Sequence, residues 1–100
     1  MSQDVYRYRF TQDTPMEEVE ITLMLAVLAA ESLHGAAQVR LDAGHCLDAA
    51  QRACVIDAGT EVGRHLNRLF VGFLRQEFGA DAFRVERLAE APQLQPAAAG

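Results

Sequence analysis

The chain has 100 residues, half of them hydrophobic and 23% charged, with a net charge of −5. This length allows a single domain, and the negative charge argues against general binding to nucleic acid or to an anionic membrane. The longest apolar run, residues 21–30, is also too short to cross a bilayer, which takes about 20 residues. We therefore expect neither a nucleic-acid partner nor a membrane partner.

The sequence also indicates a cellular compartment. Its first ten residues are polar and lack the apolar segment of a secretory signal. Two cysteines do not make a disulfide framework. All nine basic residues are arginine, which together with the abundant alanine is typical of a GC-rich genome. We therefore expect a bacterial-type cytoplasmic protein.

Residues 4–10 (DVYRYRF) alternate between two kinds of side chain, which predicts a half-buried strand. The aromatic side chains on one face, which we expect to point inward, are Tyr6, Tyr8 and Phe10. The opposite face carries Val5, Arg7 and Arg9. Residues 11–14 then form the turn into the first helix.

The longest stretch with one clear interpretation is residues 16–34, which we predict to be a helix. Thr14 is a suitable N-cap, Pro15 suits the first helical position, and Glu17 stands where it completes a capping box. Gly35 can adopt the left-handed conformation that ends a helix. The sequence therefore predicts both ends of this helix.

This helix carries two apolar stripes at helical spacing. The first predicts a core-facing side and consists of Met16, Val19, Leu23, Ala26, Val27, Ala30 and His34. The second points largely away from it and consists of Ile21, Met24, Leu25 and Leu28. A surface helix needs only one such stripe, so either the helix is sandwiched within the monomer or the second stripe is buried against another chain. In a domain this short we favour burial against another chain.

After Gly35 the sequence predicts a hairpin over residues 36–59. The residues expected to face inward are Val39, Leu41 and Ala43 on its first strand, and Cys54 and Ile56 on its second. The turn falls near residues 47–51, where Asp48 suits the first position of a type I turn.

The next predicted element is a helix from about residue 60 to residue 78, ended by Gly79. Its core-facing stripe consists of Val62, Leu66, Leu69, Phe70 and Phe73. Its opposite face carries three basic residues, Arg64, Arg68 and Arg75. Alternation over residues 82–88 predicts a last strand, and the Ala/Pro-rich residues 89–100 are expected to form a disordered tail.

The predicted order is βαββαβ, which favours an α+β fold of two layers. A four-stranded antiparallel sheet with two helices on one face, in the ferredoxin-like arrangement, is the simplest solution. The domain then spans residues 1–88. The open face of its sheet is expected to carry Arg7, Arg9, Arg40, Asp42, Val55, Arg84 and Glu86.

One candidate ligand site is the strand-to-helix junction at residues 57–65, where a glycine-containing loop leads into a helix N-terminus. Free backbone N–H groups and the positive end of the helix dipole favour an anion at such a point. The candidate ligand-binding residues are Asp57, Gly59, Thr60, Arg64 and His65. The structural alternative is that Thr60 only caps the helix and Gly63 only allows close packing.

Metal and catalytic sites have weaker support. Depending on the register of the hairpin, His45 or Cys46 would lie near Cys54, but a structural zinc site needs four ligands. The acid–base pairs that the sequence offers are Asp57 with His65 and Asp42 with His45. No nucleophile motif accompanies either pair. We therefore expect a protein that is not an enzyme and has no metal, cofactor or catalytic residues.

These expectations leave two functional hypotheses. The first is a small non-catalytic protein that self-associates as a homodimer, or docks to a protein partner, through the second stripe of the first helix. The polar residues at its flanks, which would set the orientation, are Glu17, Glu31, Arg68 and Arg75. The alternative is a regulatory or catalytic domain that binds a small anionic ligand at residues 57–65.

Overall fold

The computed structural model describes residues 4–88. This part of the chain contains four strands and three α-helices. In order they are β1 (Val5–Phe10), α1 (Met16–His34), α2 (Ala36–Asp42), β2 (His45–Asp48), β3 (Ala53–Asp57), α3 (Glu61–Phe78) and β4 (Phe83–Leu88), with a 3-10 turn at Ala80–Ala82 before β4. The predicted tail, residues 89–100, lies outside the described residues.

The four strands form one antiparallel sheet in the order β2-β3-β1-β4. β1 is central and pairs with β3 on one side and with β4 on the other. Alternation along β1 points Tyr8 and Phe10 into the core, as predicted, whereas Tyr6 is only partly buried. The predicted α+β class and four-stranded antiparallel sheet are therefore confirmed, but with three α-helices rather than two.

The core lies between one face of the sheet and the inner sides of α1 and α3. The buried residues on the two helices are Met16, Val19, Leu23, Ala26 and Ala30 on α1, and Val62, Leu66, Phe70 and Leu74 on α3. From the sheet, Tyr8 meets the Phe70 ring edge-on, with ring centroids 5.0 Å apart. The two long helices therefore lie side by side, each with one side on the sheet and one side toward solvent.

The start of α1 differs from the prediction in one detail. Pro15 is the N-cap residue, and the Thr14 side chain makes no capping hydrogen bond. The Thr14 hydroxyl instead donates to the carbonyl of Ala82 at 3.2 Å, which ties the turn before α1 to the start of β4. At the other end Gly35 has a φ of +88°, and its N–H donates to the carbonyl of Glu31, as expected of a helix C-cap.

The prediction of a strand after Gly35 is wrong, because residues 36–42 form the helix α2. Val39 and Ala43, one helical turn apart, are buried, whereas Leu41 between them is 72% exposed. A strand would have placed all three side chains on one face, but a helix separates Leu41 from the other two. β2 therefore starts later than predicted, and the turn that follows it occupies residues 49–52.

The rest of the hairpin follows the prediction. The N–H of Gln51 donates to the carboxylate of Asp48 at 3.1 Å, which closes the turn. Cys54 and Ile56 on β3 point into the core and are fully buried. The sequence therefore predicted the return strand correctly and misplaced only the strand before it.

The other face of the sheet carries a small network of ion pairs. The carboxylate of Glu86 accepts hydrogen bonds from the Nε atoms of Arg7 at 2.6 Å and Arg9 at 3.0 Å. The hydrogen bonds from Arg9 and Arg7 hold the pKa of Glu86 below its usual value. Arg40 and Asp42, predicted on this face, lie on α2 instead.

Candidate functional site

The outer side of α1 carries the four apolar residues of the predicted second stripe, called here the outer stripe: Ile21, Met24, Leu25 and Leu28. Each of the four is between 54% and 57% exposed. They lie opposite the buried residues Val19, Leu23 and Ala26 of the same helix. No element within residues 4–88 covers this side, so the alternative that α1 is sandwiched inside the described domain is excluded.

A groove of about 490 Å³ lies between α1 and β2 and is called here the β2 groove. It is lined by Glu20, Leu23, Met24, Val27 and Leu28 from α1, and by His45, Cys46, Leu47 and Ala49 from β2 and the turn after it. Its volume falls within the range of about 300–1,000 Å³ that is usual for binding pockets. Because most of these side chains are apolar, the groove extends the outer stripe down to the edge of the sheet.

His45 adds a titratable group to the β2 groove. Burial lowers the pKa of His45 below its usual value, because a charged imidazole would lose contact with water there. The ring is therefore neutral at neutral pH, and Glu20 supplies the negative charge of the lining. The groove suits an apolar or neutral surface better than it suits an ion.

A second groove of about 310 Å³, called here the α3 groove, lies on the other flank of the outer stripe. Thr22 and Leu25 line it from α1, and Phe73, Gln76 and Glu77 line it from α3. Phe73 is only partly buried, although it belongs to the predicted core-facing stripe of its helix. The outer stripe is thus a ridge between two grooves, a shape that can interlock with another helix.

The charged residues around the ridge are unevenly distributed. Glu17 and Glu20 stand near the start of α1 and Glu31 stands near its end, and this helix contains no lysine or arginine. Arg68 and Arg75 are exposed on α3. The polar surroundings of the ridge are therefore acidic on α1 and partly basic on α3.

The strand-to-helix junction predicted as an anion site is built as a helix cap. The Thr60 hydroxyl accepts a hydrogen bond from the N–H of Gly63 at 2.9 Å and donates one to the carbonyl of Asp42 at 2.6 Å. The Asp57 carboxylate accepts from the N–H of Gly59 at 2.8 Å. These contacts engage the side chains of Thr60 and Asp57 within the fold, which agrees with the structural alternative.

Gly63 allows close packing at the same junction. A Cβ atom at this position would overlap the backbone carbonyl oxygen of Asp57, so a larger residue requires the backbone to move. The first turn of α3 therefore lies directly against the end of β3, and only glycine permits this approach.

Arg64 and His65 face different neighbours. Arg64 lines a cleft of about 190 Å³ whose other residues include Tyr6 and Arg68. The His65 ring stacks on the His34 ring with centroids 4.8 Å apart, and its Nδ1 lies 2.6 Å from Nε2 of His34. The five candidate residues are therefore divided between the helix cap, the basic cleft and the histidine pair.

The two cysteines point to opposite faces of the sheet. Cys46 lies opposite Val55 and is exposed, whereas Cys54 lies opposite Leu47 and is buried. Burial raises the pKa of the Cys54 thiol to about 12, so this thiol stays protonated at neutral pH. Within residues 4–88, no group of three or more His, Cys, Asp or Glu side chains is positioned to hold a metal ion.

Two features of this region escaped the sequence analysis. The pair of His34 and His65 joins the end of α1 to α3, and the only signal for it was the position of His34 in the core-facing stripe. The β2 groove depends on where β2 lies. Because the sequence pattern misplaced this strand, it offered no means of locating the groove.

Comparisons of the chain with protein-family models, with curated proteins and with solved structures found no match. Of the helices within residues 4–88, none is by itself long and apolar enough to cross a membrane. Only α1 and α2 taken together, across a bend of 115°, meet that test of length and composition. The functional argument therefore rests on the geometry of the outer stripe and its two grooves.

Proposed function

We propose that this protein is a non-catalytic protein that forms a homodimer by burying the outer stripe of α1 against a second copy of the chain. The observation that carries the proposal is that Ile21, Met24, Leu25 and Leu28 form one exposed apolar ridge. A contiguous exposed apolar patch on a small domain marks an interaction surface. Docking to a different protein is the other use that the same ridge could serve, and sedimentation of the pure protein separates the two.

The free energy available from the outer stripe sets the size of the interface. Full burial of an aliphatic side chain contributes about 1.5–3 kcal/mol, so the four half-buried side chains of each copy, eight in the dimer, contribute about 6–12 kcal/mol together. Association costs about 4–15 kcal/mol in lost freedom of motion. The ridge alone therefore leaves little surplus over this cost, and a stable interface also needs the apolar lining of at least one neighbouring groove.

A two-fold symmetric arrangement meets this requirement with one kind of contact. Each ridge then packs against the surface beside the ridge of the other copy, and every contact occurs twice. An antiparallel pair of α1 helices would also keep the acidic first turns, with Glu17 and Glu18, away from the same turns of the other copy. Rim residues such as Arg68 and Arg75 would affect orientation more than affinity.

Sedimentation velocity of the wild type and of the variant L25E/L28E tests the proposal. Burial of two unpaired carboxylates is costly, so the variant should sediment as an 11.0 kDa monomer with an unchanged circular dichroism spectrum. The matched control G72E/A80E adds two carboxylates at exposed positions on and after α3, and should remain dimeric. A monomeric wild type, or a dimeric L25E/L28E variant, would contradict the proposal.

The proposal includes a fold type and a compartment. The order β2-β3-β1-β4 is the order expected of a ferredoxin-like sheet, in which β1–α1–β2 and β3–α3–β4 each join parallel strands separated by one antiparallel strand. Cys46 and Cys54, on opposite faces of the sheet, are free thiols that suit a reducing compartment such as the cytoplasm.

A second candidate function is the binding of a small anion near residues 57–65. The observation that favours it is the cleft in which Arg64 and Arg68 lie beside Asn67 and Tyr6. Two guanidinium groups one helical turn apart can bind the oxygens of a carboxylate or phosphate. Arg64→Ala should then abolish any thermal stabilisation by added phosphate or nucleotide. If no phosphate or carboxylate raises the melting temperature of the wild type, this candidate function is wrong.

A further inference from the structure

The strand β2 lies at one end of the sheet and has β3 as its neighbour among the described strands. Its four residues, His45–Asp48, include one acidic side chain, that of Asp48. The strand at the opposite end, β4, carries Arg84, Glu86 and Arg87. Charged side chains are one means by which proteins prevent edge strands from pairing with other chains. Three charged side chains therefore protect β4 from pairing with another chain, whereas a single one protects β2.

The hydrogen-bond pattern of β2 fixes which of its backbone groups face the open edge. The carbonyl of Gly44, just before β2, accepts a hydrogen bond at 2.9 Å from the N–H of Asp57, the last residue of β3. In an antiparallel ladder, residues that bond to one neighbouring strand alternate with residues whose backbone groups face the other side. Cys46 therefore bonds to β3, whereas the N–H and C=O groups of His45 and Leu47 point to the open edge.

We propose that the second copy in the dimer pairs its own β2 with this open edge, antiparallel, so that one sheet runs through both copies. The inference rests on the proposed self-association and specifies how the two copies meet. In one register, both outward-facing residues of each copy form backbone hydrogen bonds to the other copy, and all the paired residues belong to β2. This register pairs His45 with Leu47 of the second copy, and Cys46 with Cys46. Registers centred on His45 or Leu47 would extend the ladder to Ala43 or Ala49, outside β2.

The same arrangement covers the β2 groove. Continuing the sheet past β2 brings α1 of the second copy alongside the flank of α1 that carries Met24, Val27 and Leu28. It would also cover Leu47, which faces the helix layer and is only partly buried. A standard interface buries about 800 Å² on each copy, more than four half-exposed side chains supply, and the strand and groove add the missing area.

Oxidation at Cys46 tests this register directly. In the proposed register the two Cys46 residues form a non-hydrogen-bonded pair, with Cα atoms about 4.5 Å apart and side chains on the same face. This separation is within the range of about 4.4–6.8 Å that a disulfide allows. Diamide accepts the two protons and two electrons that the two thiols lose. It should therefore convert the reduced full-length protein into a covalent species of twice 11.0 kDa.

Three variants serve as controls. C46S should stay dimeric in sedimentation and give no covalent species, because Cys54 is buried. C46S/D48C carries its thiol on the same face, but the two residues 48 would lie about 13 Å apart, so it should not cross-link either. L25E/L28E should cross-link at least about tenfold more slowly than the wild type, because without a dimer the effective thiol concentration falls.

The outcomes distinguish the strand pairing from the self-association on which it rests. A wild type that sediments as a dimer but does not cross-link at Cys46 would overturn the strand pairing alone. C46S/D48C cross-linking as fast as the wild type would also overturn it, because the register would be wrong. Equal cross-linking of the wild type and of a monomeric L25E/L28E variant would mean random collision and overturn it as well. A monomeric wild type would overturn both proposals.

Discussion

The two long helices, α1 and α3, lie side by side on the sheet but present opposite kinds of surface to solvent. Their inner sides are alike, with Val19 and Ala26 on α1 and Leu66 and Phe70 on α3 all fully buried. The outer side of α3 carries exposed arginines and glutamates. The outer side of α1 carries the outer stripe instead.

This difference shows that the fold does not require an apolar outer side on either helix. α3 holds its place in the layer with a polar outer side, because packing is supplied by its inner side. The outer stripe of α1 therefore contributes little to the monomer, and its side chains would lose their contact with water only in an assembly. The inner side of α1 therefore stabilises the fold, and the outer stripe is free for the association that we propose.

The largest expected difference is between truncations on the inner and outer sides of the two helices, measured by the free energy of unfolding. Phe70→Ala removes a fully buried ring that contacts Tyr8, and should lower the free energy of unfolding by about 3–5 kcal/mol. Leu28→Ala, measured at a concentration where the protein is monomeric, should change it by less than about 0.5 kcal/mol. Urea denaturation followed by circular dichroism checks both values. A large loss for Leu28→Ala would mean that the outer stripe serves the monomer after all.

The two glycines of α3, Gly63 and Gly72, test how closely this helix packs at two different points. Gly63→Ala places a Cβ against the carbonyl oxygen of Asp57 and should destabilise the protein by about 1–3 kcal/mol. Gly72→Ala meets no atom within 4 Å and should stabilise it by about 0.5–1 kcal/mol, because alanine favours the helix. Thermal unfolding of the two variants should therefore shift in opposite directions. Equal shifts would contradict the close approach of α3 to β3.

Truncations on the two outer sides should affect dimerisation differently. Met24→Ala and Leu28→Ala each remove about 0.8–1.6 kcal/mol of burial from each copy, so about 1.6–3.2 kcal/mol from the dimer, which should weaken it about 15- to 200-fold. Arg68→Ala and Arg75→Ala should change the dissociation constant by less than about threefold, because exposed charges contribute little. Sedimentation equilibrium gives these constants. If the arginine variants weakened the dimer more than this, the interface would lie on α3 and not on α1.

The smallest expected effect is a pH dependence that comes from the β2 groove beside α1. Because burial lowers the pKa of His45, the unfolded chain binds a proton below about pH 6.5 that the folded chain does not bind. The free energy of unfolding should therefore fall as the pH drops below about 6.5, until the lower pKa of the folded state is reached. His45→Gln should reduce this fall. Identical pH profiles of the two proteins would show that His45 is not the cause.

Most of the fold could be predicted from the sequence because the hydrophobic periodicity extends over long segments. α1 has the predicted bounds of residues 16–34, and α3 and β4 each begin within one residue of the predicted start. A repeat sustained over four or five turns leaves little choice between helix and strand. The same periodicity by itself separates the outer stripe from the core-facing stripe.

The segment that was predicted wrongly, residues 36–42, is short. Val39, Leu41 and Ala43 alternate like a strand, but Val39 and Ala43 are also one helical turn apart, and three residues do not distinguish the two periods. The choice is made by tertiary contacts, since α2 packs against both α1 and α3. This error hid the position of β2 and therefore the β2 groove. The ridge could be predicted from the sequence, but its surroundings could not.

Sedimentation equilibrium of the reduced wild type over a range of concentrations, without any additive, measures the proposed self-association itself. The mass should rise with concentration from 11.0 kDa to twice that value, because a second copy covers the outer stripe. A mass of 11.0 kDa at every concentration up to the limit of solubility would contradict it.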